Sequence, residues 1–168
     1  MKRLIAAALI ATLPAGAMAF DQNDRAAVET TVNNFASAYT SGDYDRIVQI
    51  LPPKLVDYMA DQMGGMTGAE LKQTMAKQMG IFMSDIKIDA FSMNVRQMKT
   101  GDTPDGTPYA FIPTVTKITP PEQSQKTLRS QTLVFQDGDG WYLVRIEADQ
   151  QYNMVKAVYP DFEGVRLP

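Results

Sequence analysis

Arg145 and Glu147 stand two residues apart at the end of Trp141-Tyr142-Leu143-Val144-Arg145-Ile146-Glu147. A strand turns successive side chains to opposite faces, so Trp141, Leu143, Arg145 and Glu147 share one face. Two apolar side chains followed by a charged pair can line a pocket and orient a polar ligand group at one end. The same pattern also suits a surface charge pair or an inward structural ion pair, and such pairs are common.

A second set of chemically able side chains is Met59, Met63, Met66, Met75, Met79 and Met83. Met75, Met79 and Met83 recur at steps of four, which places them on one helical face. Thioethers are soft ligands suited to Cu(I), so a Met-based copper carrier is one reading. Met also fills irregular cores and lines adaptable apolar surfaces. Met75 and Met79 share a stripe with Leu71 and Phe82, which is how a core face reads. The chain has no His and no Cys to complete a metal site. The core reading is preferred, and no metal or other cofactor is assigned.

The absence of His also removes the usual general base and every Ser-His or Cys-His nucleophile. No G-x-S-x-G elbow and no phosphate loop of the G-x-x-x-x-G-K type occurs. Asp137-Gly-Asp139-Gly and Asp102-Thr-Pro-Asp105-Gly each hold two acids, but neither matches a calcium loop with its distal Glu, and turn chemistry explains both. An Asp or Glu with a raised pKa could still serve as a base.

Residues 1–19 read as a leader. Met1-Lys2-Arg3 is basic, Leu4 to Gly16 is apolar, and Ala17-Met18-Ala19 is a small-residue cleavage site. The expected product starts at Phe20, is exported to the periplasm and carries no membrane anchor. Lys and Arg number 16 in all, so loss of Lys2 and Arg3 leaves 14 against 19 acids, a formal charge of −5. An acidic, dispersed surface argues against nucleic acid as a partner. Residues 20–168 are enough for one domain with a real core.

The elements that must position these residues fall in a simple order. Asp21 caps a first helix with Val28, Val32, Phe35 and Tyr39 on one stripe, and Gly42 stops it. Asp43 caps a short second helix. Pro53 opens a third, with Leu55, Val56, Met59 and Met63 as its buried face. Thr67-x-x-Glu70 is a capping box before a fourth, whose buried stripe is Leu71, Met75, Met79 and Phe82. Ile86 to Met98 and Tyr109 to Thr119 read as strands, with Pro113 at a bulge or edge. Leu128 to Gln136 and Trp141 to Glu147 form a hairpin around Asp137-Gly-Asp-Gly. Residues from Gln150 onward read as an irregular tail. Helices first and strands second predict an α+β domain with helices on one face of an antiparallel sheet.

Tyr39-Thr-Ser-Gly42-Asp43-Tyr-Asp45-Arg-Ile47-Val48 after a long helix, together with the ending Asp-Gly-Asp-Gly-Trp141-Tyr-Leu-Val-Arg, resembles the NTF2-like superfamily, which includes SnoaL-like domains and ketosteroid isomerases. The resemblance spans about residues 22 to 150. It implies a cone-like curved sheet around the first helix, a pocket between them, and dimerisation through the sheet. Ketosteroid isomerase chemistry would need an Asp base and a Tyr-plus-acid pair, and no Asp and Tyr match those positions. Many SnoaL-like enzymes use a His, which this chain lacks, and the stretch from Leu55 to Phe82 is long for the family.

The expected function is therefore an exported binding or interaction module, not an enzyme, for a small apolar or amphipathic molecule or a protein partner. Its ligand residues are Phe35, Tyr39, Trp141, Leu143, Arg145 and Glu147, with a ligand tail near Trp141 and Phe35. The alternative is an isomerase- or hydro-lyase-like enzyme with a pocket carboxylate and Tyr. Both faces of the last strand are apolar, which predicts a homodimer through Tyr142, Val144 and Ile146.

Overall fold

Asp21 begins the first helix because its carboxylate accepts the backbone N–H groups of Asn23 and Asp24, while the Asp24 carboxylate returns to the Asp21 N–H. That reciprocal pairing satisfies donors that a helix start leaves free. The computed structural model describes residues 20–168, so the leader expected over residues 1–19 lies outside the described residues. Helix α1 runs Gln22–Ser41 and ends at Gly42, whose φ of 70° a side-chain-bearing residue adopts only with strain. Its buried stripe is Val28, Val32, Phe35, Ala38 and Tyr39. Helices α2 (Tyr44–Gln49), α3 (Pro53–Gln62) and α4 (Gly68–Met83) follow. Pro53 takes the first turn of α3, and Thr67 with Glu70 forms the capping box of α4.

The stripes of α3 and α4 end sooner than their spacing suggests. Leu55 and Val56 are buried, but Met63 is 58% exposed. On α4, Leu71 and Ala76 are buried, whereas Phe82 is 72% exposed. Both Met63 and Phe82 lie in the last turn or at the cap of their helices.

The strands are β1 (Lys87–Met93), β2 (Lys99–Asp102), β3 (Pro108–Thr119), β4 (Lys126–Asp137) and β5 (Gly140–Ile146). They make one curved antiparallel sheet in the order β1-β3-β4-β5, with β2 beside β1's position along β3. The single strand expected over Ile86 to Met98 is thus β1 followed by a 3₁₀ turn, Val95–Gln97, that leads into β2. Pro113 explains the break. Its carbonyl accepts the Asn94 N–H at 2.9 Å, so its nitrogen, which carries no hydrogen, faces the same gap between β1 and β2. Asp89 is the extra residue of a bulge in β1.

Helices pack on the inner, concave face. Val28, Val32, Phe35, Ala38, Tyr39 and Ile47 meet Ala110, Ile112, Val134 and Leu143 there. The free edge of β5 is closed in part by the Leu143 N–H, which donates to the Ile50 carbonyl at 3.0 Å.

The tail corrects the expectation of irregular structure. Asp149–Val158 is a helix, α5, stopped before Pro160, because a residue preceding proline is pushed out of helical geometry. With the 3₁₀ turn Pro160–Phe162, it covers the outer face of the sheet, burying Phe111, Leu133, Phe135, Val144 and Ile146 under Tyr152, Val155 and Phe162. The homodimer expected through Tyr142, Val144 and Ile146 loses its basis. Val144 is 6% exposed and Ile146 5% exposed within one chain, because the chain's own C-terminal segment occupies that face.

Candidate functional site

Strand β5 enters between Trp141 and Arg145 with the expected alternation. Trp141 lies opposite Gln136, Leu143 opposite Val134 and Arg145 opposite Thr132. Trp141, Leu143 and Arg145 therefore face α1, along with Thr114, Thr116 and Ser130 from the neighbouring strands. Helix α1 runs beside this face with Val28 in its first half and Phe35 and Tyr39 in its second.

The second half of α1 and the end of β5 enclose a cavity of about 280 Å³. Phe35, Tyr39, Leu143 and Arg145 line it together with Met59 of α3, Met75 and Met79 of α4, and Gln151 and Met154 of α5. Among the described residues its walls are apolar except at Arg145, Gln151 and the Tyr39 hydroxyl, and Arg145 is the only charged one.

Arg145 is held firmly. Its Nη2 donates to Glu147 Oε1 at 2.9 Å, Thr116 Oγ1 at 3.3 Å and, weakly, Ser130 Oγ at 3.5 Å. Its guanidinium carbon lies 5.7 Å from the Tyr39 ring centre and 5.9 Å from that of Phe91. Those two rings are 4.4 Å apart, and Phe35 packs 5.9 Å from each. A cation over aromatic faces is attracted by the ring quadrupoles. The Arg145 Nε is buried and has no hydrogen-bond partner. An unmade bond from a buried cationic group costs more than one from a neutral group.

Arg145 and Tyr39 also line a second, outer cleft of about 650 Å³. Its other walls include Phe82 and Met83 from the end of α4, Pro120 and Pro121 after β3, Leu128 of β4, and Glu147. Arg145 and Tyr39 thus border both an apolar inner cavity and an outer cleft with mixed walls. Glu147, half-exposed, holds it from the outer side.

Four of the six residues singled out on β5 and α1, namely Phe35, Tyr39, Leu143 and Arg145, line the inner cavity, and Glu147 lines the outer cleft. Trp141 lines neither. It stands at the other end of β5, edge-on to Phe20 with ring centres 6.4 Å apart. Sequence reasoning missed Leu51, Leu55, Gln151 and Met154 as lining residues. Periodicity leaves Met59, Met75 and Met79 open as core, copper ligands or an adaptable apolar surface, and the structure places all three in the cavity wall.

A Tyr–carboxylate pair exists, but elsewhere. The Tyr159 hydroxyl donates to Asp137 Oδ2 at 2.9 Å, and Lys54 Nζ reaches Asp137 Oδ1 at 2.7 Å. Burial, then the bond to Asp137, pushes the Tyr159 phenol far above its ordinary range. This pair sits by the hairpin turn, against Phe135 on the outer face, and lines neither cavity. Asp105 and Asp161 form a second acidic contact, and the hydrogen bond to Asp161, then its charge, raises the Asp105 carboxyl. Among the described residues no three His, Cys, Asp or Glu groups converge on a point that could hold a metal ion. Comparison of the chain with family models, curated proteins and solved structures returns no match.

Proposed function

We propose that this protein is a binding module of the NTF2-like cone type that holds a small amphipathic molecule, its apolar tail in the inner cavity and its anionic head at Arg145. One observation carries this reading: among the described residues an otherwise apolar cavity has a single charged lining residue, and that residue is an arginine with a buried N–H that none of them accepts. Few, well-placed polar groups in an apolar pocket are what orient a ligand. A carboxylate suits Arg145 because the guanidinium fork can give it two parallel, charge-assisted bonds. Glu147 is the anion now in that position, and its half-exposed side chain can yield it to a ligand arriving through the outer cleft.

The tail direction differs from that expected of Trp141. The apolar walls extend from Arg145 toward Met59, Met75 and Met79, not toward the Trp141–Phe20 end. The isomerase reading draws no support from the lining, which offers Tyr39 but no carboxylate within the inner cavity. The copper reading gains four thioethers in one cavity, but the fixed positive charge of Arg145 in the same wall disfavours a cation there. The leader-like first 19 residues support export to the periplasm as the setting.

The experiment is native mass spectrometry of protein purified without detergent, followed by displacement of a polarity-sensitive fluorescent fatty acid. A co-purified or displaceable amphipathic acid at one per chain is the expected result. Protein that retains no such molecule and does not bind the probe would overturn the small-molecule reading in favour of a protein partner.

A further inference from the structure

We infer that Asp102 is the seat for the α-ammonium group created when the leader is cut between Ala19 and Phe20, so that processing completes an ion pair tying the start of α1 to the sheet. This rests on the leader reading of residues 1–19 and is independent of the cavity. The Phe20 nitrogen lies 3.1 Å from Asp102 Oδ1 and 3.2 Å from Oδ2, across 82 residues of chain. As a peptide nitrogen it shares its one hydrogen between the two oxygens. An ammonium has three, and can give one to each. The same seat thus accepts a chain terminus, whose positive charge would turn these contacts into an ion pair.

The surroundings fix that terminus from two further sides. The Phe20 ring packs edge-on to Trp141, with planes 88° apart, and joins the inner core around Val28 and Val32. Asp21 follows at once as the N-cap with its capping box, so α1 begins at Gln22, two residues after the proposed terminus. The A-x-A site at Ala17 to Ala19 ends where this seat begins. A new charge formed there meets Asp102 of β2, with Asp21 and Asp24 of α1 close by and Tyr109 of β3 beside Asp102. The three carboxylates favour an ammonium there, while the Tyr109 phenol, raised by burial and then by the charge of Asp102, stays neutral.

The test uses protein made to begin at Phe20, in free-amine and N-acetylated forms, each with Asp102 and with D102N. The free amine should melt about 2–4 °C above the acetylated form, in keeping with a partly exposed ion pair in a chain of this size. D102N should erase that difference while leaving the acetylated form little changed. The amine's folded pKa lies above its unfolded value of ~7.7–8.0, so the advantage is present below that range and fades as pH rises through the folded pKa. Asp21, Asp24 and Tyr109 act on both Asp102 and D102N proteins, so the difference between them isolates Asp102. Equal melting of free and acetylated forms would overturn the proposal, as would a difference that survives D102N or high pH. An exported protein whose first residue is not Phe20 would overturn its processing half and leave the cavity reading untouched.

Discussion

Phe162→Ala removes the side chain that closes the outer core. Phe162 is 1% exposed, and its ring lies 5.2 Å from Phe135 and 5.6 Å from Tyr109. The Tyr152 hydroxyl donates to the Val165 carbonyl at 2.7 Å, so the segment around Phe162 is also tied to α5 and has little freedom to collapse into the space. Truncating a buried Phe costs about 3–5 kcal/mol, transfer and cavity terms together. At roughly 2–4 °C per kcal/mol for a chain of this length, the melting temperature should fall by about 6–20 °C. Phe82→Ala is the control, since Phe82 is 72% exposed and its loss should change stability by no more than ~0.5 kcal/mol. Differential scanning calorimetry and urea unfolding measure both. If Phe162→Ala melts within 2 °C of Phe82→Ala, the C-terminal segment does not cover the sheet as described. The outer face would then be open again for a second copy of the chain.

Three other outcomes follow from particular contacts. Hydrogen bonds from Thr119, Lys87 and Gln125 lower the Asp89 carboxyl from 3.8 to about 2; its contribution is present above pH ~4 and lost as pH falls through about 2, so urea unfolding of Asp89→Asn should show a smaller acid-induced loss over that window and lower stability at pH 6. Thr114 and Thr132 share a buried hydroxyl contact of 2.7 Å, and the Thr114 hydroxyl also donates to the Ile112 carbonyl at 3.1 Å, so Thr132→Val should cost only about 0.5–1.5 kcal/mol in urea unfolding, the net worth of one hydrogen bond, because Thr114 keeps an acceptor. The Asp105–Asp161 contact is repulsive when both are ionised, so Asp161→Asn should raise the melting temperature at pH 7 and the gain should shrink at pH 3.

Much of this architecture is legible in the chain because single residues mark it. Asp21, Gly42, Asp43, Pro53 and the Thr67–Glu70 box place helix ends, and Asp137-Gly-Asp-Gly places the hairpin. Helix α5 escapes because Ala148 precedes it, a residue with no oxygen to cap with. The Gln151 side chain supplies the missing acceptor for the Ala148 N–H at 2.7 Å. Its stripe of Tyr152, Val155 and Tyr159 is short and set among polar residues, so only tertiary burial makes it a helix. Phe82 shows the converse failure. Periodicity puts it on the stripe of Leu71 and Met75, but the stripe outruns the surface it packs against. In the candidate site, alternation along β5 correctly groups Leu143 with Arg145. It could not tell that Trp141, on the same face, lies beyond the cavity against Phe20. The Met lining depends on how α3, α4 and α5 bring Met59, Met75, Met79 and Met154 to one cavity, which no local pattern encodes.

The central claim is that Arg145 receives an anionic head at the end of an apolar cavity. Isothermal titration of a medium-chain fatty acid and its matching neutral amide, against the native protein, Arg145→Ala and Leu143→Ala, tests it most directly. A hydrogen bond to a charged group is worth about 1.5–3 kcal/mol, so Arg145→Ala should weaken the acid by about 10- to 150-fold and the amide by less than ~3-fold. Leu143→Ala should weaken both alike. Equal losses for acid and amide in Arg145→Ala would contradict the assignment of Arg145 as the anion's partner.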